Sequence, residues 1–111
     1  MEVIIVNERA IEYIKKGEKR IEVRKDSSFF SNFEPGKIFY FLELKTLQKI
    51  LVRTTRINSY KSISDLLFSE NINIINPYPC FSSVDDSLSL YKKHYKNKIS
   101  GDWISIYFDL I

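Results

Sequence analysis

The chain is poor in the residues that cross-link, ligate or punctuate. A single cysteine, Cys80, among 111 residues excludes an internal disulfide, and its spacing to the one histidine, His94, does not suggest a catalytic pair. One cysteine and one histidine also fall short of the ligand cluster of a structural zinc site. Three glycines and three prolines leave little room for linkers, and no glycine-rich turn of a dinucleotide fold is present. No stretch approaches the roughly 20 apolar residues of a membrane span, and Met1 to Val6 lacks the charged start and long apolar run of a signal peptide. These absences predict a protein of the reducing cytoplasm with no membrane partner, no metal and no cofactor.

What is present is a core-forming composition. Hydrophobic residues make up 44% of the chain, with eight Phe, seven Tyr and one Trp, enough for one packed core and too little for two independent ones. Residues 1–111 are therefore expected to form a single domain. A net charge of +3 is compatible with a nucleic-acid partner without demanding one. No pattern in the sequence specifies an oligomer.

Hydrophobic periodicity predicts the element order. Val3 to Val6 is a β-branched run expected to form a buried strand. Asn7 offers an N-cap to a helix over Glu8 to Lys16, with Ala10, Ile11 and Ile14 on one face and Gly17 placed to take a left-handed conformation after it. In residues 18–25, Ile21 and Val23 alternate with Arg20, Glu22 and Arg24, which predicts a strand with one apolar and one charged face. Two strands are expected over Lys37 to Leu44 and Leu47 to Tyr60, then a short helix from Ser62 to Phe68. A later helix is expected to start at Asp85 or Asp86 with a stripe of Leu88, Tyr91 and Tyr95, and Trp103 to Leu110 reads as the last strand. Apolar strands without regular helical crossovers predict an α+β mixed β-barrel flanked by short helices.

The run from Ile14 to Arg24 resembles the ASCH signature, a helix ending in glycine followed by Gly-x-Lys-x-x-Glu-x-Arg, matched here by Gly17, Lys19, Glu22 and Arg24. Residues 34–38 are similar to that family's glycine turn into an apolar strand, with Lys37 in place of the usual acid. Residues 83–95, with Tyr91, His94 and Tyr95, look like its late helix, and Trp103 to Phe108 fits its closing strand. The resemblance implies a PUA-like barrel with a cleft between barrel and helices. It also implies RNA or a modified nucleoside as the partner.

One branch of that family resembles amidohydrolases acting on acetylated cytidine through a lysine, a threonine and a glutamate. Lys19 falls on the lysine, but Glu22 stands where that branch has threonine, and no glutamate aligns near Ser83 to Asp85. Asp85 can replace it as a general base, although a carboxylate at a helix start more often caps the free amides.

Read by their chemistry, Lys19 is a base or nucleophile if desolvated, and a charged ligand-binding group beside a carboxylate. Glu22 and Arg24 are two apart on one strand, so they share a face and either pair with each other or bracket a ligand. Tyr91 and His94 are helix-surface neighbours suited to stacking and phosphate contact, with core packing the commoner role for the tyrosine. Three functional readings follow: an RNA- or nucleoside-recognising module using Lys19, Glu22, Arg24, Tyr91 and His94; a small amidohydrolase or RNA hydrolase using Lys19, Glu22 and Asp85; and a non-enzymatic protein adaptor.

Overall fold

In the computed structural model, which describes residues 1–81 and 83–111, the chain runs β1 (Val3–Val6), α1 (Glu8–Lys15), β2 (Ile21–Lys25), a 3-10 turn (Ser28–Phe30), β3 (Ile38–Glu43), β4 (Lys49–Tyr60), α2 (Ile63–Ser69), α3 (Ile72–Ile75), α4 (Val84–His94) and β5 (Trp103–Leu110). The strands form one mixed five-stranded sheet in the order β1-β3-β4-β5-β2, with β1 parallel to β3 and every other pair antiparallel. This is an α+β half-barrel. The long strand β4 pairs with β3 through its first half and with β5 from Val52 to Tyr60. A register shift between Thr54 and Arg56 interrupts the β4–β5 pairing, the kind of irregularity that bends a strand.

Local chemistry explains the first elements. The Asn7 side chain accepts the Ala10 N–H at 2.8 Å and starts α1. At the other end Gly17 N–H donates to Ile14 O and Glu18 N–H to Tyr13 O, with Gly17 at φ +77°, which is the double closure of a Schellman motif. Lys19 N–H also donates to Tyr13 O, so the chain turns sharply and carries the Lys19 side chain inward. A Cβ added at Gly17 meets nothing within 4 Å, so Gly17→Ala is expected to cost about 1 kcal/mol through backbone strain alone. Denaturant unfolding measures this directly.

Both faces of the sheet are covered. Ile4, Phe39, Phe41, Val52, Ile106 and Phe108 pack against Ile11 and Ile14 of α1. On the other side Ile21, Val23 and Trp103 pack against Ile63, Leu66 and Leu67 of α2 and Tyr91 of α4. Strand β5 serves both clusters, because Ile104 and Ile106 alternate with Trp103 along it.

Three local expectations are corrected. The residue capping α4 is Ser83, whose side chain accepts the Asp86 N–H at 3.0 Å; Asp85 and Asp86 lie in the first turn, where a carboxylate favours the helix dipole without closing it. The buried residues of α4 are Ser87 and Tyr91, with Leu88 and Tyr95 only half-buried. Residues 71–79, ambiguous in sequence, contain the one-turn helix α3 started by the Asn71 side chain.

Candidate functional site

The two edge strands, β1 and β2, are not hydrogen-bonded to each other as strands. A side chain spans the gap: Arg24 of β2 donates from Nη2 to the carbonyl of Ile5 in β1 at 2.7 Å. Beside this clasp lies a cavity of about 710 Å³, within the usual range for small-ligand sites, bounded by β2, the β1–α1 junction, Asn76, Tyr78 and one side of α4.

Lys19, Glu22 and Arg24 all reach its wall. The charged face expected of β2 does not meet open solvent, since Glu22 is only 6% exposed and Lys19 only 3%. Glu22 Oε2 accepts from Arg24 Nη2 at 2.8 Å and Nε at 3.1 Å, while Oε1 lies 3.3 Å from Lys19 Nζ. Burial opposes ionisation of Glu22, but the charges of Arg24 and Lys19 outweigh it and hold the carboxyl below its usual range.

Lys19 is held on all sides. Its Nζ donates to Ile75 O at 2.5 Å and Ile21 O at 2.9 Å, with Glu22 as the third acceptor. An ammonium has three N–H groups, and here each has an acceptor. Burial pulls the Lys19 pKa below the ordinary lysine value, against the opposing charge of Glu22. The side chain therefore anchors Glu22 and ties the α1–β2 turn to the end of α3.

Arg24 differs. Its protein contacts engage Nε and Nη2, and no acceptor for Nη1 is found among the described residues. Arg24 lines the cavity with its side chain 28% exposed, and the two Nη1 N–H groups remain unengaged by the described residues.

Asn76 and Tyr91 add neutral hydrogen-bonding groups to the same wall. Asn76 Nδ2 donates to Ser87 Oγ at 3.1 Å and Tyr91 OH at 3.4 Å, and Ser87 Oγ donates onward to Phe81 O at 3.2 Å. Because the Ser87 proton is committed to a carbonyl, its oxygen must accept from Asn76, which fixes the amide orientation. Asn76 Oδ1 then accepts from no donor among the described residues and is not sealed from solvent; the buried side-chain atom without a partner among them is Thr54 Oγ1. Tyr91 OH accepts from Asn76 and keeps its own proton for another partner; burial and nearby Glu22 push its pKa up, so that proton stays on.

The remaining sequence candidates separate. His94 is exposed at the rim, edge-on to Tyr95 with ring centroids 5.2 Å apart, and both line the cavity. Asp85 is exposed on the first turn of α4 and does not line it. Sequence reading missed Asn76, Tyr78 and Arg9, whose guanidinium lies 4.3 Å from the centre of the Tyr78 ring. Asn71 to Pro79 carried no periodicity, and nothing local marks Asn76 as the neighbour of Tyr91.

The charge pattern predicts a pH dependence. Glu22 and Glu70 both titrate below the ordinary carboxylate value of 4.5, Glu70 because the Ser105 and Tyr107 hydroxyls and the Asn58 amide outweigh its burial. Below that value the unfolded chain binds protons that the folded chain refuses, so the stability these carboxylates contribute is present above about pH 4.5 and is lost as pH falls through their depressed values. Thermal melts from neutral to acidic pH are expected to fall in that window, and those of Glu22→Gln to be lower at neutral pH and flatter across it.

No family model matches the sequence, and no curated protein matches it significantly. Solved structures do. The crystal structure of hypothetical protein PH0355 superposes with a TM-score of 0.78 at 25% identity, covering 98% of this chain and 97% of that one. A Pyrococcus furiosus protein solved by NMR in solution gives a TM-score of 0.69 at 22% identity, over 98% of this chain and 96% of that one. An ASCH domain from Lactobacillus crispatus gives a TM-score of 0.54 at 12% identity, over 89% of this chain and 68% of that one.

Proposed function

We propose that this chain, which has the ASCH fold, recognises one nucleobase of single-stranded RNA or of a modified nucleoside in the cavity beside Glu22 and Arg24. The observation that carries this reading is the mixed set of groups lining one cavity: a buried carboxylate, two guanidinium N–H groups of Arg24 without partners among the described residues, the Asn76 carbonyl oxygen and the Tyr91 hydroxyl proton. Acceptors and donors at fixed positions suit the edge of a base, and a carboxylate accepts well from an exocyclic amine.

Several features support a single base over a duplex. A cavity of about 710 Å³ admits one nucleotide but excludes a helix. Tyr95 and His94 at the rim offer ring faces for stacking, the mode by which unpaired bases are held. The preorganised ion pairs keep Glu22 charged and fixed before the ligand arrives, which lowers the ordering cost of binding.

Hydrolysis by Lys19 is the weaker reading of the same motif. A lysine acting as nucleophile or base must reach the substrate with a free lone pair, and Nζ is enclosed by Ile21 O, Ile75 O and the Glu22 carboxylate. Asp85, the other carboxylate such chemistry would draw on, stands outside the cavity.

A thermal-shift panel of ribonucleosides, base-modified nucleosides and short single-stranded RNAs tests the proposal, since a ligand of the native state must raise its melting temperature. At least one base class is expected to stabilise the wild type and to lose that effect in Asn76→Ala. A uniform absence of stabilisation across the panel would favour an adaptor role.

A further inference from the structure

A second cavity, of about 520 Å³, adjoins the first and is lined by Glu18, Arg20, Asn73, Pro77 and Pro79. Asn76 and Tyr78 line both cavities, so these two side chains form the partition between them. The α1–β2 turn also serves both: Lys19 reaches the first cavity, while its neighbours Glu18 and Arg20 line the second. The backbone of Arg20 is pinned, its N–H donating to Ile74 O at 2.9 Å and its carbonyl accepting the Phe108 N–H at 3.1 Å. Its side chain is exposed and makes no hydrogen bond or ion pair with the described residues. His94 and Tyr95 do not line the second cavity, so it leaves the first by a different side from their rim.

Cations and aromatic rings alternate around the partition. Arg9 holds its guanidinium 4.3 Å from the centre of the Tyr78 ring and 5.0 Å from that of Phe81. Tyr13, one turn further along α1, meets Tyr78 edge to face with centroids 5.1 Å apart, and Lys16 Nζ lies 5.4 Å from the Tyr13 centre. Arg9, Lys16 and Arg20 pair with no carboxylate among the described residues. Of the nearby acids, Glu12 lies 3.5 Å from Lys15 Nζ, Glu8 and Glu43 face Lys45 at the mouth of the first cavity, and Glu18 alone lines the second. Three unpaired cations against one unpaired acid leave this surface positive, and cations interleaved with rings are what an unpaired nucleic-acid strand follows. The Tyr78 hydroxyl, on a side chain 6% exposed, makes no hydrogen bond with the described residues and is not sealed from solvent. It is a donor without a partner at the crossing point of the two cavities.

From this arrangement we infer that the second cavity holds the nucleotide next in the strand to the one whose base lies beside Glu22. The neighbouring base packs on Pro77 and Pro79, and the linking phosphodiester crosses the partition over Tyr78, between Arg9 and Arg20. The inference rests on the base-recognition reading and deepens it: the ligand class is a pair of consecutive nucleotides, not a lone nucleoside. A free dinucleotide and two residues of an RNA strand present the same chemistry to the two cavities.

Calorimetric titration of the full chain, paired with NMR of its labelled amides, separates the outcomes. The probes are the common ribonucleosides, the dinucleoside monophosphates built from them and a short single-stranded RNA, each against wild type, Arg20→Ala and Arg24→Ala. The Arg20 side chain has no partner to lose, so Arg20→Ala is expected to melt with the wild type. For the preferred base, the best dinucleoside monophosphate is expected to bind at least about tenfold tighter than the nucleoside and to lose most of that gain in Arg20→Ala. It is also expected to move the Glu18 and Asn73 amide signals, which the nucleoside leaves in place. Further tightening by the RNA identifies a strand as the source, and its absence a free dinucleotide. Equal affinity for nucleoside and dinucleoside monophosphate with unmoved Glu18 and Asn73 amides overturns the second subsite and leaves base recognition standing. A gain that Arg20→Ala keeps, with those amides unmoved, does the same. Dinucleotide shifts at Glu18 and Asn73 that ignore base identity and survive Arg24→Ala support the second subsite and overturn base recognition beside Glu22; no binding by any probe overturns both.

Discussion

Truncating Glu22 to alanine is expected to lower the unfolding free energy by about 3–5 kcal/mol, a large share of the stability of a domain this size. The reason is asymmetric. Glu22 balances two cations at once, with Arg24 Nη2 2.8 Å from one oxygen and Lys19 Nζ 3.3 Å from the other. Removing the carboxylate leaves Lys19, only 3% exposed, as a buried ammonium whose remaining acceptors are two carbonyls. It also leaves Arg24 holding the two sheet edges together through Ile5 alone. Denaturant unfolding of Glu22→Ala and of Lys19→Met/Glu22→Leu separates the two components. The double variant, which removes the buried cation together with its partner, is expected to recover part of the loss. If Glu22→Ala unfolds within about 0.5 kcal/mol of wild type, the triad is a surface ion pair and the buried-site account fails.

Arg24→Ala is expected to weaken binding of a short single-stranded RNA by about 10- to 100-fold, the loss typical of a charge-assisted, partly buried hydrogen-bonding pair. Arg24 is the one member of the triad with protons left over for a ligand, because Lys19 is fully engaged and Glu22 can only accept. Arg24→Lys makes the comparison informative. It keeps the charge and can satisfy Glu22 or the Ile5 carbonyl, but a single ammonium cannot reproduce the planar fork that also faces the cavity. Stability should recover more fully than affinity. Anisotropy titrations with labelled RNA read the affinity, and their salt slope should be shallow, about −0.7 per phosphate neutralised, because few cations surround the mouth. Unchanged affinity in a folded Arg24→Ala protein would move the binding surface elsewhere.

The legible parts of this molecule are those whose causes lie close together in sequence. Asn7 and Gly17 bracket α1 and do in the fold what their positions predict, because an N-cap and a left-handed glycine act within one turn. The alternation around Glu22 marked β2 and placed Glu22 and Arg24 on one face. It did not reveal that this face is buried. That depends on Ile75, 56 residues from Lys19, and on Ile5, 19 residues from Arg24, and such long-range partners leave no periodic trace.

Sequence reading erred where two neighbouring residue types compete for one role. Ser83, Asp85 and Asp86 all suit a helix start, and the hydroxyl at Ser83 takes the cap while the carboxylates occupy the first turn. Asn76 was invisible for another reason. An asparagine after a short apolar run reads as loop, and only the fold brings it to Ser87 and Tyr91. Lys19 stood out through its motif, but the enclosure of its ammonium by two carbonyls and a carboxylate was not legible, because Ile75 lies far along the chain.

The measurement that bears most directly on the central claim is a structure of the chain in complex with a short single-stranded RNA. The account predicts one base inside the cavity, its edge against Glu22, Asn76 and Arg24 Nη1, with the flanking strand leaving over the rim near His94 and Tyr95. RNA bound outside the cavity, with the cavity empty and the Arg24 to Ile5 clasp untouched, would contradict it.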